Sequence, residues 1–296
     1  MKNEPLFEYL FEIIEKPESE GIILTGGLGM RLKHAHIINS KISTLVENVP
    51  QPRPTTDLDL FLRVQFWIEI ERAIQIRALV EKLGYQPILH SWHFRKPIDG
   101  LEGRFIKLDF QARTPLPDEP VKVKQKGRFK QRQVGRDMGS GLAGLETIEA
   151  FSLDEMPIPL SLTLNGSEAV CLVPHPYTWL NLKIAAAFDW LLEQRGEIPP
   201  KFAEEGEDSK RLKHVFDVVI LVAMLTVQEL SECKTLARKY LEHPLAAKNR
   251  ESAKELFEKE DGEGMVAARY YAATTAVEFP LDHDLFWTTL QQTLGM

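Results

Sequence analysis

Hydrophobic and polar positions change period several times along this chain, and each change marks an element. Residues 5–16 interleave Leu, Phe and Ile with Glu at helical spacing, which predicts an amphipathic first helix. Pro17 and Gly21 bracket a turn, and "IILT" is a short buried strand. "GLGMRLKHAHIINSKISTLVEN" starts a helix and ends in a looser segment. The proline-rich "PQPRPTT" is a loop, because proline cannot donate to a central ladder. "TDLDLFLRV" alternates cleanly as a strand, and a helix ended by Gly84 is expected over 67–83. "YQPILHSWHF" and "RFIKLDFQA" read as two strands joined across "IDGLEG", and "PIPLSLTLNGSEAVCLV" as a hairpin turning at Asn165-Gly166.

After Pro174 and Pro176 the pattern becomes helical, with segments expected at 177–193, 208–225, 228–242, 248–259, 264–278 and 282–294. The organisation is a mixed α/β domain over 1–172 followed by an all-helical domain over 173–296.

Composition narrows the class. Of 296 residues, 44% are hydrophobic and 27% charged, the balance of a globular protein with a core. A net charge of −7 argues against a dedicated duplex-DNA binder. Two cysteines make no disulfide framework, and a reducing cytoplasm is the expected compartment. The N-terminal stretch carries too many glutamates for a signal peptide, and "VVILVAMLTV" at 218–227 is far short of the ~20 residues that span a bilayer, so no membrane partner is expected.

The candidate chemistry lies on the strands. Residues two apart share a face, so Asp57 and Asp59 project together while Leu58, Leu60 and Leu62 face the core. Two like charges that close repel unless a cation lies between them, and Mg²⁺ commonly sits between carboxylates and substrate phosphates. In "RFIKLDF" the apolar set is Ile106, Leu108 and Phe110, so Asp109 points the other way and becomes a third carboxylate if this strand lies beside the first. Three such groups suit two-metal phosphoryl or nucleotidyl transfer. The bland reading of Asp57 and Asp59 is a solvated outer sheet face. Upstream, the glycines of "LTGGLG" end a strand and open a helix, a place where backbone amides meet phosphate.

Together these features resemble the nucleotidyltransferase superfamily in its minimal form: a hydrophobic strand, Gly-Gly, a helix, a strand with Asp-x-Asp, and a later strand carboxylate. More narrowly the chain is similar to abortive-infection toxin nucleotidyltransferases of the AbiEii/AbiGii type. Their Arg-x-Ser/Thr-x-Asp-hydrophobic-Asp signature stands here as "RPTTDLD", with Arg53, Thr55, Asp57 and Asp59 in the matching places. Their helical lysine corresponds to Lys183, and their later basic-acid element to "KHVFD", Lys213 to Asp217, with His214 in place of the acid. Leu28 follows the glycine pair where relatives often have Ser or Thr.

The resemblance implies an α/β (α+β) nucleotidyltransferase-fold domain with a mixed sheet. It implies Mg²⁺ or Mn²⁺ held by Asp57, Asp59 and Asp109. A nucleoside triphosphate would be bound through Gly26, Gly27, Arg31, Thr55, Lys183, Lys213 and Asp217. The implied activity is transfer of a nucleoside monophosphate to tRNA or a protein, in the toxin half of a toxin–antitoxin pair with a cognate antitoxin. Two alternatives stay open: a non-catalytic binding protein on the same fold, and a sugar-nucleotide pyrophosphorylase, whose glycine-rich signature "LTGGLGMRL" also approaches.

Other features have two readings. Lys183 and Asp217 sit in helices apolar on nearly every side, so they either form a structural ion pair or line a cleft. Lys122, Lys124, Lys126, Arg128, Lys130, Arg132 and Arg136 make a basic run that is either a solvated edge strand or an RNA contact over 122–136. His34, His36, His90 and His93 read as surface or core histidines rather than as a metal site.

Overall fold

In the computed structural model the described residues are 5–88, 92–98, 101, 103–126, 131–135, 138–198, 208–275, 277, 279 and 281–296. The chain divides into two compact units. One comprises Met1–His36 and Pro54–Pro174, the other Ile37–Arg53 and His175–Met296. The segment 37–53, which has no clear periodicity of its own, therefore clusters with the helices; Leu45 N–H donates to the Leu225 carbonyl at 2.8 Å.

The first unit is α/β. Its helices are α1 (Pro5–Ile14), α2 (Gly26–Asn39), α3 (Gln65–Ile68) and α4 (Ile70–Lys82). Its strands are β1 (Ile23–Leu24), β2 (Asp57–Phe61), β3 (Gln86–Pro87), β4 (His93–Pro97), β5 (Phe105–Arg113), β6 (Val123–Lys126), β7 (Gln131–Val134), β8 (Gly144–Thr147), β9 (Ile158–Leu164) and β10 (Ser167–Val173). Among the described residues they form one mixed sheet in the order β6-β7-β8-β5-β2-β1-β10-β9, with β4 also on β5 and β3 on β4. β2 and β5 run parallel, β4 antiparallel to β5.

The alternation read from the sequence is realised: Leu58, Leu60, Leu62, Leu108 and Phe110 are fully buried. Each such side chain stabilises the unit by roughly 1.5–3 kcal/mol. The β9–β10 hairpin turns at Asn165 and Gly166, both with positive φ, as a two-residue turn between right-twisted strands requires.

Two expectations are corrected. The helix expected over 67–83 is broken at Glu69, whose φ −94°, ψ 78° is not helical. The break seats Trp67 in the core over Gly135, where a Cβ would fall 2.2 Å from the indole. The strand expected over "YQPILHSWHF" is instead β3 and β4 paired antiparallel, Gln86 opposite Arg95.

The second unit contains α5 (Pro176–Gln194), α6 (Asp208–Ala223), α7 (Val227–Lys239), α8 (Pro244–Phe257), α9 (Glu263–Thr274) and α10 (His283–Leu294). α7 opens on a capping box in which Thr226 and Glu229 satisfy each other's backbone N–H. α5 and α6 supply its core, with Trp179, Leu180, Ile184 and Val218 to Leu225 buried. Among the described residues no single helix is long and apolar enough to cross a membrane.

Candidate active site

The register of β2 against β5 places Asp59 directly beside Asp109 and Asp57 beside Lys107. Residues at matched positions share a face of the sheet, so Asp57, Asp59 and Asp109 stand on the same side, opposite the buried leucines. β4 extends the row: His93 is directly opposite Asp109, and its Nδ1 meets Oδ1 of that carboxylate. Both side chains are about a quarter exposed, at 23% and 24%.

The other end of the row is the start of α2. Thr25 N–H donates to the Asp59 carbonyl at 2.8 Å, and Thr25 Oγ1 donates to the same oxygen at 3.2 Å. These bonds fix the exit of β1 against β2. The next residue, Gly26, has φ +62°, and a Cβ on it would lie 1.9 Å from Asp59 Oδ2. Only glycine lets the Asp59 carboxylate approach the helix N-terminus this closely. The opening amides of a helix lack intrahelical partners, and Gly26 and Gly27 carry two of them. A negative group there is favoured by the helix dipole.

Supporting contacts come from neighbours. Gln111 Nε2 donates to Asp59 Oδ1 at 3.4 Å and accepts at Oε1 from Thr147 Oγ1 at 3.2 Å. Thr56 Oγ1 donates to Asp57 Oδ1 at 3.3 Å, and Thr55 Oγ1 accepts from Asp57 N–H at 3.4 Å. Thr55 thus holds the backbone at the start of β2. Arg31 lies on α2, partly buried and already engaged in an interaction.

As a metal site, the face offers Asp57 and Asp59, two hard oxygen donors of the kind Mg²⁺ takes alongside substrate phosphates. Among the described residues no group of three or more His, Cys, Asp or Glu side chains is placed to hold a metal ion. Asp109 is engaged by His93. The residues therefore fit a two-carboxylate arrangement whose remaining oxygens come from the nucleotide.

The second unit gathers its own charged cluster. Asp217, 1% exposed, accepts from Lys183 Nζ at 2.7 Å and from Arg53 Nε at 3.3 Å. Burial pushes the Asp217 carboxyl up, but Lys183, Arg53 and His214 outweigh it and hold the group down at about 2. Burial, then the Lys183 charge, pushes His214 well below the ordinary imidazole range. His214 Nδ1 is buried and has no hydrogen-bond partner among the described residues. Lys213 precedes it and is partly buried. The ion-pair reading of Lys183 and Asp217 is thus realised, with Arg53 as a third member that sequence reasoning grouped with Thr55 and Asp57.

Of the basic run, β6 and β7 form an antiparallel hairpin at one end of the sheet order, with Lys122, Lys124 and Arg132 exposed. Arg132 pairs with Glu146 at 2.8 Å. Arg128, Lys130, Arg136 and His90 lie outside the described residues.

Sequence reasoning missed Gln111 and the role of His93. Alternation from Asp109 reaches Gln111 directly, whereas His93 becomes visible only through the strand register. No protein-family model, no curated protein and no solved structure matches this chain.

Proposed function

We propose that this protein is a nucleotidyltransferase that moves a nucleoside monophosphate from a nucleoside triphosphate to an acceptor hydroxyl in the presence of Mg²⁺ or Mn²⁺. The observation that carries the reading is the row of Gly26, Asp59 and Asp109, with Asp57 on the same face. Asp57 and Asp59 are the residues that would hold the metal. Bound there, the metal would neutralise charge on the phosphate oxygens. The amides of Gly26 and Gly27 receive a phosphate at the α2 N-terminus, on a backbone fixed by the Thr25–Asp59 hydrogen bonds. Gln111 orients the Asp59 carboxylate. The resemblance to abortive-infection toxins supplies the acceptor class, tRNA or a protein hydroxyl, and the accompanying antitoxin.

The test is incubation of the full chain with α-labelled nucleoside triphosphates, Mg²⁺ and total RNA or cell protein. Label entering RNA or protein supports the reading. Absence of transfer together with absence of nucleotide binding overturns it in favour of a non-catalytic binding module. Pyrophosphate release that depends on a sugar phosphate points instead to sugar-nucleotide synthesis.

A further inference from the structure

We propose that His93 is a catalytic residue of this site, the base that takes the proton from the acceptor hydroxyl, and that Asp109 serves as its positioning residue. The inference rests on the nucleotidyl-transfer reading and adds a residue to it. Three observations carry it. His93, Asp109 and Asp59 occupy matched register positions on three adjacent strands, and so share one face. The His93 Nδ1 meets the Asp109 carboxylate. Both side chains are partly exposed rather than sealed in the core.

The chemistry follows from the ring. A neutral imidazole carries one N–H and one lone pair, and the nitrogen facing a carboxylate is the one that holds the hydrogen. Asp109 therefore fixes Nδ1 as the donor and leaves Nε2 as the basic nitrogen. Two strand spacings separate His93 from Asp59, roughly 10 Å between backbones. That span places a phosphate held beside Asp59 at one end of the row and a base at the other. In the step, the acceptor oxygen forms a bond to the α-phosphorus, and its proton passes to His93 Nε2. The bond from the α-phosphorus to the bridging oxygen breaks, and pyrophosphate leaves with that electron pair. No redox change occurs.

A positioned base contributes roughly 10²–10⁴-fold to rate. In the label-transfer assay with Mg²⁺ and total RNA, His93→Ala is expected to lose kcat by that factor with the KM for the triphosphate little changed. Added imidazole restores part of the rate to His93→Ala and none to Asp57→Asn. His93→Gln keeps a hydrogen bond to Asp109 without a basic nitrogen and is expected to be equally slow, which separates lost chemistry from lost folding. Asp109→Asn, which faces Nδ1 with the wrong partner, lowers kcat as well. The inference is overturned if His93→Gln transfers label within about threefold of the wild-type rate. It is equally overturned if the His93→Ala loss lies in KM, or if imidazole restores nothing. An inactive wild-type chain would instead sink the nucleotidyl-transfer reading itself.

Discussion

A Cβ on Gly26 would fall 1.9 Å from Oδ2 of Asp59. This single contact ties the helix start to the carboxylate strand and can be measured. Gly26→Ala suffers both the left-handed backbone, at φ +62°, and a collision with the carboxylate. Gly166 provides the control, with φ +83° and nothing within 4 Å of its would-be Cβ. The left-handed conformation alone costs roughly 1–2 kcal/mol, so Gly166→Ala should lose about that much. Gly26→Ala is expected to lose distinctly more in thermal denaturation, because Asp59 must move as well. Equal losses in the two variants would show that Asp59 yields without cost.

Asp57→Asn removes one of two like charges that share a strand face. Its leucine neighbours on the opposite face are untouched, so without Mg²⁺ the melting temperature should stay the same or rise slightly. In the wild type, Mg²⁺ with nucleotide at a hundred times Kd should stabilise by about 2.7 kcal/mol through mass action. The variant should lose most of that gain together with label transfer. A thermal shift like that of the wild type would make the aspartates structural.

Asp217 lies between Lys183 and Arg53. Removing one partner of a buried ion pair costs roughly 3–5 kcal/mol, because the remaining charges stay buried without compensation. Asp217→Ala should therefore unfold at clearly lower urea concentration. A midpoint close to wild type would mean that water reaches Lys183 and Arg53 in the variant.

The same cluster sets an acid response in two stages. His214 is held neutral in the fold, well below its ordinary value of 6.5, so the unfolded chain binds the extra proton first. Stability is then complete above about pH 6.5 and declines below it. Asp217 titrates at about 2 in the fold against an ordinary 3.8, so its contribution is present above 3.8 and fades as pH falls toward 2. That second stage is worth roughly 2 kcal/mol. Urea titrations across pH should show both declines, and His214→Gln should abolish the first while leaving the second. A His214→Gln curve parallel to wild type between pH 7 and 5 would contradict the assignment.

Which side chains point together was legible in the sequence wherever a period governs it. The two-residue repeat of "TDLDLFL" and "RFIKLDF" put the leucines inside and the aspartates outside, because a pleated strand has no other choice. The Asn165-Gly166 turn was readable for the same local reason, since few residues accept positive φ. Pairing is a different matter. That Asp59 lies beside Asp109, and His93 across from it, depends on which strands meet and in which register. Register is selected by burial summed over the whole sheet, which no short window contains. The break at Glu69 has no Gly or Pro to announce it and follows from the demand of Trp67 for a place over Gly135. Arg53 stands four residues before Asp57, yet tertiary structure gives it to the helical unit, because a buried Asp217 needs more positive charge than Lys183 alone supplies.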